Sequence, residues 1–174
     1  LLRDSTCTLS AHVHVAAGTF LALSTELGTG SVAVISGGGT TRLFLVYGNL
    51  IVTDLILERG NIDYGGAFYV AKNGSYPSGR VQVFRTVVRL CEASLYGGGA
   101  MLQDGATLTL GNSTFESNTA GQTGGAVFAS SASSVVVSLG ARVDVIGNTA
   151  VALHGGGLVL ENQDTRLVVG GRSE

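Results

Sequence analysis

The sequence predicts an all-β fold, a right-handed parallel β-helix (β-solenoid) of about five to six coils with three short strands per coil. Three observations predict it. Glycine doublets recur every 26 to 33 residues, at Gly38-Gly39, Gly65-Gly66, Gly98-Gly99, Gly124-Gly125 and Gly156-Gly157. Self-similarity at such a period marks a stack of repeats. Four of the doublets lead into short apolar segments that start at Ala67, Ala100, Ala126 and Leu158. Elsewhere valine and leucine alternate with polar residues at the period of a half-buried strand.

The alternation begins at Val13/Val15 and returns at Val32/Val34. The longest apolar stretch, Leu43 to Leu57, is broken by Gly48-Asn49 and Thr53-Asp54. It falls short of the roughly 20 residues a membrane-spanning helix needs, so no membrane span is expected in this segment. Ala71 to Arg80, with Asn73-Gly74 and Pro77, reads as an outward loop ahead of the Val81/Val83 alternation. Arg85 to Tyr96 has near-helical spacing at Val88, Cys91 and Leu95. Its β-branched Thr86-Val87-Val88 favours a strand and a turn.

The next repeat divides into strands at Ala100 to Gln103, Thr107 to Leu110 and Thr114 to Glu116. Leu108 and Leu110 would point inward. In the repeat after it, Ala126 to Ala129, Ser134 to Ser138 and Arg142 to Ile146 read alike. Val143 and Val145 share one face there, and Arg142 and Asp144 share the other. Stacked coils satisfy one another's backbone groups. The glycines suit turns that need a positive φ or no side chain. Aligning the doublets predicts one column of Ala67, Ala100, Ala126 and Leu158. It predicts a polar row of Ala71, Asp104, Ser130 and Asn162.

Charged residues are 13% of the chain and the net charge is −2. No electrostatic case for nucleic acid follows. The whole chain, 1–174, reads as a single β-helix segment. Both ends, Leu1-Leu2-Arg3 and Gly170 to Glu174, fall in repeat-like sequence without visible caps or signal peptide. A piece of a longer extracellular protein is expected. Cys7 and Cys91 lie about three repeats apart, roughly 15 Å along a stack of 4.8 Å coils. That is beyond disulfide reach.

Chemistry-bearing residues are sparse, and the expectation is no enzyme, no metal and no cofactor. His12 and His14 share a face, but two imidazoles fall short of the ligand count of a zinc site. His154 precedes a glycine turn. Catalytic carboxylates of a polysaccharide-degrading β-helix would need to converge. The best pairing, Glu116 with Asp144 on neighbouring coils, would be loose and close to Arg142. Arg80, Arg85 and Arg89 form the basic cluster, and rim ion pairs are its expected use. Tyr64 and Tyr96 each adjoin a doublet and are expected to stack, the alternative being an exposed pair that binds sugar rings. Asn73-Gly74-Ser75 and Asn112-Ser113-Thr114 are sequons, which makes Asn73 and Asn112 candidate glycosylation sites.

Phe115-Glu116-Ser117-Asn118 followed by Gly124-Gly125-Ala126-Val127 pairs Phe-x-x-Asn with Gly-Gly-Ala-aliphatic. This pairing resembles the repeats of the chlamydial polymorphic outer membrane proteins and related adhesin-like β-helix proteins. Gly65-Gly66-Ala67-Phe68 and Gly98-Gly99-Ala100-Met101 fit the second motif. Val145-Ile146-Gly147-Asn148 is a degenerate first motif, and Cys91 stands near the asparagine place one repeat earlier. The resemblance implies a right-handed β-helix displayed outside the cell and serving adhesion. It implies that Phe115 stacks in the core and that Asn118 and Asn148 bond neighbouring turns.

The resulting expectation is a structural and adhesive scaffold at the cell surface, in a stalk, filament or appendage. Its partners would be proteins of a surface assembly or a host or cell-surface receptor, with glycans as a further candidate. The competing reading is a polysaccharide-binding or polysaccharide-degrading β-helix protein.

Overall fold

Parallel strands stacked along one axis make up the computed structural model, which describes residues 5–25 and 32–170. Leu1, Leu2, Arg3 and residues 171–174 lie outside the described residues. Each coil passes through up to four sheets in turn. Sheet one holds Val13–Val15, Phe44–Val46, Phe68–Val70, Ala100–Leu102, Val127–Ala129 and Leu158–Leu160. Sheet two holds Phe20–Ser24, Asn49–Thr53, Arg80–Phe84, Thr107–Gly111, Ser134–Val137 and Arg166–Val169. Sheet three holds Thr6–Thr8, Ala33–Ser36, Leu55–Glu58, Val87–Arg89, Ser113–Glu116 and Val143–Ile146. These are the three strands per coil that the sequence predicts, and Arg85 to Tyr96 is strand and turn.

A fourth, shorter sheet adds Asn61–Tyr64, Glu92–Tyr96, Thr119–Ala120 and Thr149–Ala150. It lies in the connection from sheet three to sheet one. That connection lengthens along the chain, from 9–12 through 37–43, 59–67, 90–99 and 117–126 to 147–157. Only the longer connections have room for the extra strand.

The core is a set of apolar columns. In sheet two, Leu21, Leu50, Val81, Leu108, Val135 and Leu167 lie in register, as do Leu23, Val52, Val83, Leu110, Val137 and Val169. In sheet three the column is Cys7, Ile35, Leu57, Val88, Phe115 and Val145. Phe44 stacks on Phe68 in sheet one, with centroids 5.5 Å apart. Every interior coil is closed above and below by like residues, so Leu50, Leu57, Val81, Leu108 and Phe115 are all buried.

The corners are columns too. Between sheets two and three the chain turns on Asp54, Arg85 and Asn112, all left-handed, with φ of 57°, 45° and 49°. Between sheets three and four it turns on Arg59, Leu90, Ser117 and Gly147, with φ of 52°, 52°, 53° and 61°. The N–H groups of Arg59, Leu90 and Ser117 each donate to a carbonyl of the next coil. A left-handed residue ordinarily costs an L-amino acid about 1–2 kcal/mol. Here that cost is offset because each bend lets two flat strands keep their coil-to-coil hydrogen bonds.

The glycine alignment needs a one-residue correction. Phe68, Ala100, Val127 and Leu158 form one column of sheet one. Ala67 and Ala126 therefore stack with Gly99 and Gly157, and not with Ala100 and Leu158. The repeats near 98 and 156 carry three glycines, and the pair that aligns with Gly65-Gly66 and Gly124-Gly125 is Gly97-Gly98 and Gly155-Gly156. Gly38-Gly39 is not a member of this column. Phe44 aligns with Phe68, so Thr41 and Arg42 occupy the doublet rows in that coil. The polar row slips likewise: Ala71 aligns with Gln103, Ser130 and Glu161, while Asp104 lies beside Ser131.

The corrected alignment separates two reasons for glycine. Gly65, Gly97, Gly124 and Gly155 have φ between +57° and +69°. Gly66, Gly98, Gly125 and Gly156 do not, but a Cβ on any of them would strike the backbone of Glu92, Thr119, Thr149 or Asn148 respectively. At that column sheet four and the approach to sheet one touch backbone to backbone.

Candidate contact surface

Sheet one has one face in the core, and the other carries His14, Leu45, Tyr69, Met101, Phe128 and Val159 in register. Period two sends Tyr69 outward between the buried Phe68 and Val70. Sheet four delivers more rings to the same side. Tyr64 and Tyr96 end successive strands in register and stack, with centroids 5.9 Å apart at 26°. Phe128 continues the ladder on Tyr96 at 4.9 Å and 23°. Tyr69 tilts against Tyr64 at 6.5 Å, and His14 meets Tyr47 edge-on at 5.6 Å.

Arg42 ties this surface together. Its guanidinium lies 5.0 Å over the Tyr69 ring. Its Nε donates to the carbonyls of Tyr64 and Gly65 at 3.1 Å, and a terminal nitrogen donates to Tyr64 at 2.6 Å. These carbonyls belong to the end of Asn61–Tyr64, the first strand of sheet four, whose outer edge has no strand beyond it among the described residues. A charge over such an edge discourages a foreign strand from pairing there. Burial lowers the Arg42 pKa, and the neighbouring Tyr69, Tyr47 and Asp63 act in the opposite sense. Burial, followed by the charges of Arg42 and His14, lowers the pKa of exposed His12. Burial is also the leading cause that raises the Tyr69 phenol.

The ring faces are largely turned to one another or to Arg42. Met101 and Phe128 are themselves buried, which leaves Tyr64, with Tyr69 and Tyr96 half-buried, as the accessible rings. Such a surface is amphipathic, of the kind protein interfaces enrich in Tyr and Arg. Tyr64 and Tyr96 were legible as a pair from their places beside the glycines. Arg42 and Tyr69 were not singled out. For Tyr69 the available signal was its outward place in Phe68-Tyr69-Val70.

The asparagines form a second ladder, inside. Asn118 is fully buried, and its Oδ1 accepts from the Cys91 N–H at 3.0 Å. Its Nδ2 donates to the Val88 carbonyl at 3.0 Å and to Asn148 Oδ1 at 2.9 Å. Asn148 Oδ1 also accepts from the Asn118 N–H, and Asn148 Nδ2 donates to the Phe115 carbonyl at 2.8 Å. Cys91 occupies the asparagine place one coil back, where its Sγ donates to the Arg89 carbonyl at 3.3 Å. Burial pushes this thiol up to about 12, so it acts as a small apolar group. Cys7 is exposed, and both cysteines are free.

The remaining candidates do not converge. Glu116 aligns with Ile146, while Asp144 aligns with Thr114 and pairs with Arg142 at 2.9 Å, so the two carboxylates are not opposite one another. Arg85 pairs with both oxygens of Asp54, at 2.7 and 2.8 Å, and Arg89 pairs with Glu58 at 2.8 Å. Arg80 lies in the same column as Asn49 and Thr107. His12, His14 and His154 are exposed, and His154 is bridged to Thr123. No group of three His, Cys, Asp or Glu side chains is placed to hold a metal among the described residues. No described helix is long and apolar enough to cross a membrane. Asn73 is exposed in its loop, whereas Asn112 turns a corner and its Oδ1 accepts from the Arg142 N–H at 3.0 Å. The chain matches no protein-family model, no curated protein and no solved structure.

Proposed function

We propose that the chain is a rigid segment of an extracellular scaffold of the adhesin-like β-helix kind, which offers its aromatic side to protein partners in a surface assembly or on another cell. The observation that carries this reading is the surface built by Tyr64, Tyr69, Tyr96 and Arg42. Four separate stretches of chain deliver these side chains, and coil-to-coil register holds them together. Presenting a preformed surface lowers the ordering cost of binding.

The test is attachment of the immobilised chain to cells or to isolated surface fractions. Replacing Tyr64 and Tyr96 together by alanine is expected to weaken attachment by at least about tenfold, the scale of hot-spot aromatics. Circular dichroism and thermal melting report whether the variant keeps its fold. A folded double variant that attaches as well as the parent chain refutes the proposal. A glycan array and a polysaccharide-hydrolysis panel address the competing reading. Binding of a defined glycan that depends on these tyrosines would favour a polysaccharide-binding module instead.

A further inference from the structure

The longest connection between sheets one and two among the described residues runs from 71 to 79, between Phe68–Val70 and Arg80–Phe84. It contains Asn73-Gly74, and of the seven asparagines in the chain Asn73 alone is followed by glycine. We propose that Asn73 is a site of spontaneous covalent modification, at which the side-chain amide is lost through a cyclic imide.

The chemistry needs a backbone nitrogen free to reach the side-chain carbonyl. The deprotonated Gly74 nitrogen attacks Asn73 Cγ and forms a new N–C bond. The Cγ–Nδ2 bond breaks, and Nδ2 leaves as ammonia. Water then opens the five-membered imide at either carbonyl. One product is aspartate. The other is isoaspartate, in which the main chain runs through the former side chain. No oxidant or reductant is consumed, and solvent supplies the water.

Four features of the structure single out this site. Residues 72–77 are all exposed, so base and water reach them. Gly74 has φ +60°, and its Cβ direction is open, with no atom within 4 Å. Among the described residues neither the Gly74 N–H nor the Asn73 amide has a hydrogen-bond partner, and the turn is closed only by the Tyr76 N–H donating to the Asn73 carbonyl at 3.4 Å. Glycine lacks the side chain that would hinder attack by its nitrogen.

Several of the other sites are held, and none of the other asparagines precedes a glycine. The related Asp104-Gly105 step has its glycine N–H bonded to the Ser131 carbonyl at 2.8 Å. Asn118 and Asn148 have both amide atoms engaged in the buried ladder, and Asn112 is fixed by Arg142. Conversion at Asn73 would place a new carboxylate on an outward loop of a chain whose net charge is only −2. It would also remove Asn73 as a glycan acceptor, just as a glycan on Nδ2 would block the conversion.

The test uses the chain made in a host without N-glycosylation and held in mildly alkaline buffer. Isoelectric focusing follows the acidic product, and peptide mapping with electron-transfer fragmentation locates it and separates isoaspartate from aspartate. Asn73 is expected to convert ahead of the other six asparagines. The acidic band is expected to disappear in Asn73→Gln and to persist in Asn112→Gln. Circular dichroism should be unchanged in Asn73→Gln, since Asn73 is exposed and its side chain makes no hydrogen bond among the described residues. An Asn73 that stays intact while another asparagine converts overturns the proposal. So does an Asn73→Gln chain that acidifies as fast as the parent.

Discussion

Removing the Asn118 side chain would leave the Cys91 N–H without its acceptor and the Val88 carbonyl without its side-chain donor, both in the interior. Each orphaned buried group costs about 1–3 kcal/mol. Asn118→Ala is therefore expected to lower the urea midpoint clearly. Asn148→Ala should lower it less, because Asn148 is only half-buried. The roles of Phe115 and Asn118 were expected only through the resemblance of their Phe-x-x-Asn motif to known β-helix repeats, since the spacing by itself does not say where an asparagine amide points. The part played by Arg42 was not legible. Its partners are the carbonyls of Tyr64 and Gly65 in the next coil, and main-chain acceptors leave no mark in a sequence.

Among the elements, the glycine column makes the sharpest demand. A methyl group at Gly98 would run into the carbonyls of Gly125 and Thr119, which cannot swing away without breaking coil-to-coil bonds. Gly98→Ala is expected to cost at least the 1–3 kcal/mol typical of overpacking. Gly140→Ala meets nothing within 4 Å, and its φ of +71° limits the cost to about 1–2 kcal/mol. Chemical denaturation of the two variants side by side measures the difference. The strands themselves were readable, since Val143/Val145 and Leu108/Leu110 alternate without ambiguity. The register was readable only to within one residue, because Gly97-Gly98-Gly99 offers two ways to draw a pair. Thr119–Ala120 and Thr149–Ala150 escaped because two residues are too few to show a period. Their position is dictated by what the glycines across from them allow.

For the molecule as a whole, the low charge predicts a shallow response to acid. Of the described ion pairs, Asp54 with Arg85 and Asp144 with Arg142 are open to solvent and screened by it, while Glu58 with Arg89 is more sheltered, the Glu58 side chain being 14% exposed. Hydrogen bonds from Arg85 hold the Asp54 carboxyl below its usual pKa. A carboxyl depressed in the folded state contributes its stability above the unfolded pKa, near 3.9, and loses it as pH falls through the folded value. Stability should therefore stay nearly level from neutral pH down to that range and then decline modestly. The advantage of the parent chain over Asp54→Asn should vanish over the same acid interval, as denaturation midpoints taken at a series of pH values would show.

The lengthening connections between sheets three and one carry the fourth sheet only in the later coils, so the outline of the molecule differs between its two ends. Its cross-section begins three-sided and finishes four-sided. A body shaped in this way has a polarity, since its two ends differ in the number of faces they present. Orientation along the axis is thus encoded in the silhouette, before a single side chain is read.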